Sequence, residues 1–235
     1  MVYGAILAGG IGSRMKFGDM PKQFLSLGDK PIIIHTLEKF IYSSSIQRIY
    51  VAINKDWVDY FEGLLEKYNI ISSRIDVICG GVDRSESLMN VISHIEEKYG
   101  VDSEDVIVTH DAVRPFVTER IIKDNVVAAK EYGMCNTAIP ATDTISISYD
   151  GEYIDSIPDR DKLMLNQTPQ SFKIKLLKEM YLSLTPEEKN SLTDATKICT
   201  LKGEKVRIVK GDPSNIKITT ISDYQIANAV LSGNI

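Results

Sequence analysis

Residues 2–10 read Val-Tyr-Gly-Ala-Ile-Leu-Ala-Gly-Gly, an apolar run ending on two glycines. A short apolar run of this kind reads as a strand buried on both faces, and the glycines as the turn that leaves it. A polar loop follows over Ile11 to Lys30. Beyond Pro31, Ile34, Leu37 and Ile41 share one helical face. RIYVAIN (Arg48–Asn54) is a second β-rich run, and Trp57, Tyr60, Phe61 and Leu64 return to helical spacing. RIDVIC (Arg74–Cys79) is a third strand, closed by Gly80-Gly81. Leu88, Val91, Ile92 and Ile95 predict an amphipathic helix over Asp83–Tyr99. DVIVTH (Asp105–His110) is a fourth strand, Thr118 opens another helix, and Asn136–Pro140 forms a fifth strand. Strands alternating with helices of this length imply an α/β fold: a Rossmann-like, doubly wound, mostly parallel sheet with helices on both faces.

The alternation stops between Ala141 and Gln170. TISISYDGEYIDSI (Thr144–Ile157) alternates apolar and polar residues around Asp150-Gly151, a hairpin signal. We expect an inserted β-hairpin arm over about 141–170, packed against a second subunit because a lone hairpin cannot bury both faces. Helical spacing resumes at Leu177, Met180, Tyr181 and Leu184, and Thr185-Pro186 breaks it. VRIVKG is a late strand, and Ser222 is the expected cap of a last helix over Asp223 to Leu231. With no repeat or linker-like stretch, residues 1–235 read as one domain carrying an arm.

Composition narrows the function. The chain has 235 residues, 43% hydrophobic and 25% charged, which excludes global disorder. Its formal net charge of −5 argues against a general nucleic-acid binder. Cys79, Cys135 and Cys199 are odd in number and widely spaced, as expected of reduced core thiols rather than disulfides or a zinc site. The N-terminal apolar run is too short to span a membrane and has no basic flank before it, so we expect a cytoplasmic protein without a signal peptide.

Ligands of open α/β sheets bind beyond the carboxyl ends of the strands, where three clusters fall. In the first, Leu7–Lys22, glycines open the backbone to phosphate, and Arg14, Lys16 and Lys22 outnumber Asp19. A dinucleotide fingerprint fails there, because Met15 holds the third glycine's place and Ala52-Ile53-Asn54 ends the second strand without an acid. No P-loop string exists. In the second cluster, GGVDRSES (Gly80–Ser87), Ser85 and Ser87 are candidate helix caps, and the same donors suit a base edge or ribose. In the third, THDAVRPF (Thr109–Phe116), Asp111 stands where a carboxylate holds Mg2+, and Arg114 is either its structural partner or a site residue. His110, His35 and His94 read as structural.

The strings LAGGIGSRM and PKQF, GGVDRSES, HDAVRPF, DRDKLMLNQTPQSF and GDPSNIKIT resemble, in this order, those of the sugar- and polyol-phosphate cytidylyltransferases. The resemblance spans Met1 to about the last helix. It implies that a substrate phosphate attacks the α-phosphorus of CTP and pyrophosphate leaves, with Mg2+ as cofactor. On this resemblance Leu7, Ala8, Gly9 and Gly10 cradle the nucleotide, while Arg14 and Lys22 stabilise the pentacovalent transition state. Gly80, Gly81 and Ser87 contact the cytosine and ribose, and Val82, Asp83, Arg84 and Ser85 complete the nucleotide-binding stretch. Asp111 takes the metal beside Ala112. Arg160 and Lys217 orient the acceptor phosphate, Thr144 touches the acceptor, and the arm makes a homodimer. Leu7-Ala8-Gly9-Gly10, Val113 and Met164 lean toward the ribitol 5-phosphate branch, of teichoic-acid synthesis, with the 2-C-methyl-D-erythritol 4-phosphate branch, of isoprenoid synthesis, as the alternative. A non-catalytic nucleotide-binding protein and a hydride-transfer enzyme are the readings from other classes.

Overall fold

A computed structural model describes residues 1–9 and 20–233. In chain order the elements are β1 (Val2–Ala8), β2 (Ser26–Leu27), β3 (Lys30–Pro31), α1 (Ile32–Tyr42), β4 (Arg48–Ile53), α2 (Val58–Lys67), β5 (Ile75–Cys79), α3 (Arg84–Tyr99) and β6 (Val106–Asp111). There follow α4 (Glu119–Tyr132), β7 (Met134–Pro140), β8 (Met164–Lys173), α5 (Ile174–Leu182), α6 (Pro186–Asn190), α7 (Thr196–Leu201), β9 (Arg207–Lys210) and α8 (Ile221–Leu231). Among the described residues seven strands form one sheet in the order β5-β4-β1-β6-β8-β7-β9. All run parallel except β8, which is antiparallel to both its neighbours.

Every residue of β1 is buried, so both faces of the sheet must be covered. The two-residue period sorts them. Val2, Ile6 and Ala8 pack with α1, α2 and α4, whereas Tyr3, Ala5 and Leu7 pack with α3, α5 and α7. Gly4 lets α1 come close, since a Cβ there would lie 2.7 Å from the Phe40 ring. The chain leaves β1 for β4 and β5, then returns to β6 on the other side of β1. That reversal opens a crevice at the carboxyl ends of β1 and β6, where Leu7 stands opposite Asp111.

Three expectations need correction. The stretch Met164–Gln170, read as part of the arm, belongs to the central sheet as β8, so the excursion covers 141–163. Gln167, Thr168, Gln170 and Ser171 are buried despite their polarity, which hides the strand from a hydrophobic pattern. They are satisfied by bonds such as Thr109 Oγ1 to Gln170 O (2.9 Å) and Ser171 Oγ to Asn125 Oδ1 (3.2 Å). The Asp150-Gly151 turn forms, with Asp150 Oδ1 accepting from the Glu152 and Tyr153 amides, but its flanks meet only at one bridge, Ile147 to Ser156. Lastly, Thr220 and not Ser222 caps α8, in a reciprocal capping box with Asp223.

The cysteines divide. Cys135 and Cys199 are buried, and burial pushes both thiols up to about 12. Cys79, expected in the core, is exposed where β5 ends. No helix is long and apolar enough to cross a membrane among the described residues.

Candidate active site

The carboxyl ends of β1, β4, β5 and β6 are tied into one rim. Ala112 N donates to Leu7 O (3.2 Å), and Gly80 N donates to Ile53 O (2.7 Å). Buried Gln23 donates from Nε2 to Ala8 O (2.8 Å), which anchors the single turn Lys22–Phe24 beside the end of β1. Lys22 opens that turn. Gly10 and Arg14 lie outside the described residues.

The β5–α3 loop is braced from within. Asp83 caps α3 through Oδ1 and the Glu86 amide (2.8 Å), so neither Ser85 nor Ser87 is the cap. Ser87 Oγ instead donates to Asp83 O (2.7 Å) and accepts from Gly81 N (3.0 Å). A Cβ on Gly9 would stand 3.4 Å from Ser87 Oγ, and one on Gly80 would stand 3.0 Å from it. Gly9, Gly80 and Gly81 thus meet around one hydroxyl. Val82 is 94% exposed, its amide held by Glu86 Oε2 (2.8 Å).

The third cluster closes the site. Asp111 is buried among three cations: Arg84 Nε stands 3.3 Å from Oδ1, and Lys217 Nζ and Arg114 Nε stand 2.9 and 3.6 Å from Oδ2. Burial alone would raise the Asp111 pKa. The charges of Arg84, Lys217 and Arg114 outweigh it and hold the carboxyl well below the usual range. Three cations around one carboxylate leave a surplus of two positive charges, and Arg84 Nη1 and Nη2 are buried with no hydrogen-bond partner among the described residues. Donors left over in this way suit an anion. His110 lies behind them. It is fully buried, and burial lowers its pKa to about 4.

Of the residues expected to orient the acceptor phosphate, Lys217 lies on Asp111. Arg84, expected among the nucleotide-binding residues, also stands on Asp111. Arg160 and Thr144 ride on the 141–163 excursion, where Arg160 Nη1 donates to Thr142 O (3.2 Å), and the cations on Asp111 are others. Gln23, Thr168 and Asn215 were missed, although each adjoins a quoted motif residue. No group of three His, Cys, Asp or Glu among the described residues can hold a metal unaided. Mg2+ is commonly held by one carboxylate together with substrate phosphates, and Asp111 would share such an ion only by giving up a contact with Arg84, Lys217 or Arg114 as the nucleotide brings it in.

Comparison with known proteins agrees with this geometry. The family model described as IspD, 2-C-methyl-D-erythritol 4-phosphate cytidylyltransferase, matches residues 2–233. The 4-diphosphocytidyl-2C-methyl-D-erythritol synthase of Anaerococcus prevotii is 30% identical, with 98% of this chain and 96% of that one covered at a TM-score of 0.80. The Francisella tularensis 2-C-methyl-D-erythritol 4-phosphate cytidylyltransferase is 28% identical, covered 97% and 98%, with a TM-score of 0.79. The Thermus thermophilus enzyme of that name, 22% identical and covered 99% and 100%, shares the fold at a TM-score of 0.75. With its length matched by the family model and its cations gathered at the switch point of the sheet, the chain belongs to the IspD cytidylyltransferase family of nucleotidyltransferases.

Proposed function

We propose that the chain transfers CMP from CTP to 2-C-methyl-D-erythritol 4-phosphate and releases pyrophosphate. The observation that carries the reading is the buried Asp111 with Arg84, Arg114 and Lys217 around it, in a chain whose family model bears that activity's name. The chemistry asks for little more. A phosphate monoester has a second pKa of about 6 and is already an anionic nucleophile at neutral pH. No general base is needed, and catalysis rests on positioning and charge. Leu7–Gly9 and Gly80–Ser87 receive the nucleotide. Arg84 offers its unpaired nitrogens to phosphate oxygens, and Lys217 orients the acceptor phosphate for attack. Arg14 and Lys22 neutralise the charge that spreads to the leaving pyrophosphate. Mg2+ held by Asp111 would neutralise the triphosphate and make the α-phosphorus more electrophilic.

Arg160 and Thr144 enter this reading through a homodimer. Tyr149, Tyr153, Ile154 and Ile157 are exposed on the excursion, and pairing two copies would cover them and carry Arg160 or Thr144 toward a site. Sedimentation checks the arrangement: a monomer at micromolar concentration rejects it.

Ribitol 5-phosphate, the acceptor that the sequence reading put first, is the second reading. What favours it is Val113 and the Leu7–Gly10 loop. Val113 is buried against Ile218 beside Lys217, so its size bears on the acceptor side. Pyrophosphate release from CTP with each acceptor in turn tests both readings. Faster turnover with methylerythritol phosphate supports the first, faster turnover with ribitol 5-phosphate replaces it by the second, and release with neither rejects both.

A further inference from the structure

Behind the cations on Asp111 runs a closed ring of hydrogen bonds. His110 Nε2 lies 3.1 Å from Arg114 O, and a carbonyl only accepts, so Nε2 carries the proton. Nδ1 is then the acceptor, and Thr168 Oγ1, 2.9 Å away, must donate to it. The lone pairs of that hydroxyl remain for the Asp111 amide at 3.2 Å. Arg114 Nη1 donates to Asn215 O (2.7 Å), and Asn215 Nδ2 donates to Thr168 O (2.8 Å), so the ring closes through the Thr168 hydroxyl on His110. The ring joins the end of β6, β8 and the 212–218 segment, three stretches that are distant in sequence.

All four members are buried, with His110 and Asn215 fully so, and the ring touches the chemistry only through its neighbours. Asp111 hangs from the Thr168 hydroxyl by its amide. Lys217 is bracketed by Asn215 on one side and by Ile218 on the other, whose amide donates to Val113 O (3.0 Å). Asn215 Oδ1 is buried without a partner among the described residues. Asn215 Nδ2 also donates to Gln167 Oε1 (3.3 Å), so one buried amide ties the 212–218 segment to β8 twice. We propose that His110, Thr168 and Asn215 are positioning residues, which fix the Lys217 ammonium against the Asp111 carboxylate in the geometry the phosphoryl transfer uses. The proposal rests on the cytidylyl-transfer reading for its role, though not for its geometry.

Thr168→Val removes the hydroxyl at nearly constant shape, Thr168→Ser keeps it, and Asn215→Ala frees the segment carrying Lys217. Turnover, the KM for the acceptor, CTP–Mg2+ affinity and the melting temperature are read on each. A pulse of acetic anhydride with mass spectrometry reports how well Lys217 is held, relative to Lys162, whose side chain is 82% exposed. Displacement by about 1 Å costs on the order of 100-fold in turnover. That loss is expected for Thr168→Val and Asn215→Ala, with CTP affinity retained, Lys217 acetylated faster than in the wild type, and Thr168→Ser close to wild type. Unchanged Lys217 labelling in both variants overturns the proposal. So does a Thr168→Ser as impaired as Thr168→Val, or a loss of turnover that merely follows a loss of folded protein. If the wild type turns over neither acceptor, the reaction assigned above fails, and the labelling comparison still decides the positioning.

Discussion

Replacing Gly81 by alanine tests whether the β5–α3 loop is the nucleotide's seat. The backbone at Gly81 is not left-handed, so space is the only obstacle. An added Cβ would lie 2.4 Å from Glu86 Cγ and 2.5 Å from Glu86 Cβ. A flexible tip can swing away, but Cβ moves only if the first turn of α3 moves. That motion takes Glu86 Oε2 from the Val82 amide and strains the Asp83 cap. Overpacking of this kind costs about 1–3 kcal/mol, and a lost hydrogen bond to a charged group adds about 1.5–3 kcal/mol. The free loop can relax and lower this sum, whereas a nucleotide that needs the native loop must restore it. If about 2 kcal/mol falls on binding, CTP–Mg2+ affinity weakens about 30-fold. Calorimetric titration reads the change directly. Glu86→Gly removes the obstructing atoms, so Gly81→Ala in that background should weaken binding far less than it does alone. Affinity within about twofold of wild type for Gly81→Ala, or an equal penalty in both backgrounds, would refute the reasoning.

Lys217→Met should lower turnover about 100- to 1,000-fold, as losing one transition-state donor does, and raise the acceptor KM while CTP affinity holds. Steady-state kinetics with calorimetry decide, and weakened CTP binding alone contradicts the role. His110 titrates at about 4 in the fold against 6.5 ordinarily, so the unfolded chain takes its proton first. Stability is whole above the unfolded value and declines as pH falls through 6.5 toward 4, by about 2 kcal/mol at pH 5. Urea midpoints at pH 8 and 5 should show a steeper fall in wild type than in His110→Gln, and parallel falls reject the assignment. Of three thiols, Cys79 alone should react rapidly with an aromatic disulfide in the native protein, and CTP–Mg2+ should slow it because Gly80 follows directly. Labelling that saturating CTP leaves untouched would move the nucleotide away from β5.

The parallel core was legible because VYGAILA and its neighbours carry the physics openly, as apolar runs ended by glycine and separated by helical periods. β8 was not. Four of its six buried residues are Gln, Thr and Ser, whose burial is permitted by partners on β6, β7 and α4 that no local window contains. Thr220 was overlooked for a related reason. Ser222 is a good cap by type, but only Thr220 has an acid at the third helical position to complete the box. Asp150-Gly151 correctly announced a turn, while the ladder expected on either side was not formed by one chain, since a two-stranded hairpin is marginal on its own.

The site divides in the same way. Glycines that end strands announce themselves locally, so the clusters at Leu7–Gly9 and Gly80–Ser87 were legible as strand ends, although Asp83 and not a serine caps the helix that follows. The convergence of Arg84, Arg114 and Lys217 on one carboxylate has no local signature, because it is made by sheet order and by a loop pinned through Asn215. The net charge of −5 concealed it too, as a total carries no positions. Physically, the buried acid is what lets the basic mouth exist before any substrate arrives. Three cations crowded in a site of low dielectric repel one another, and without Asp111 the most exposed of them, Lys217, gains by turning to water. Asp111 holds them together yet leaves two positive charges over. The mouth is thus pre-organised for a polyanion while remaining unsatisfied until one binds, which is the electrostatic condition a transferase joining two phosphates has to meet.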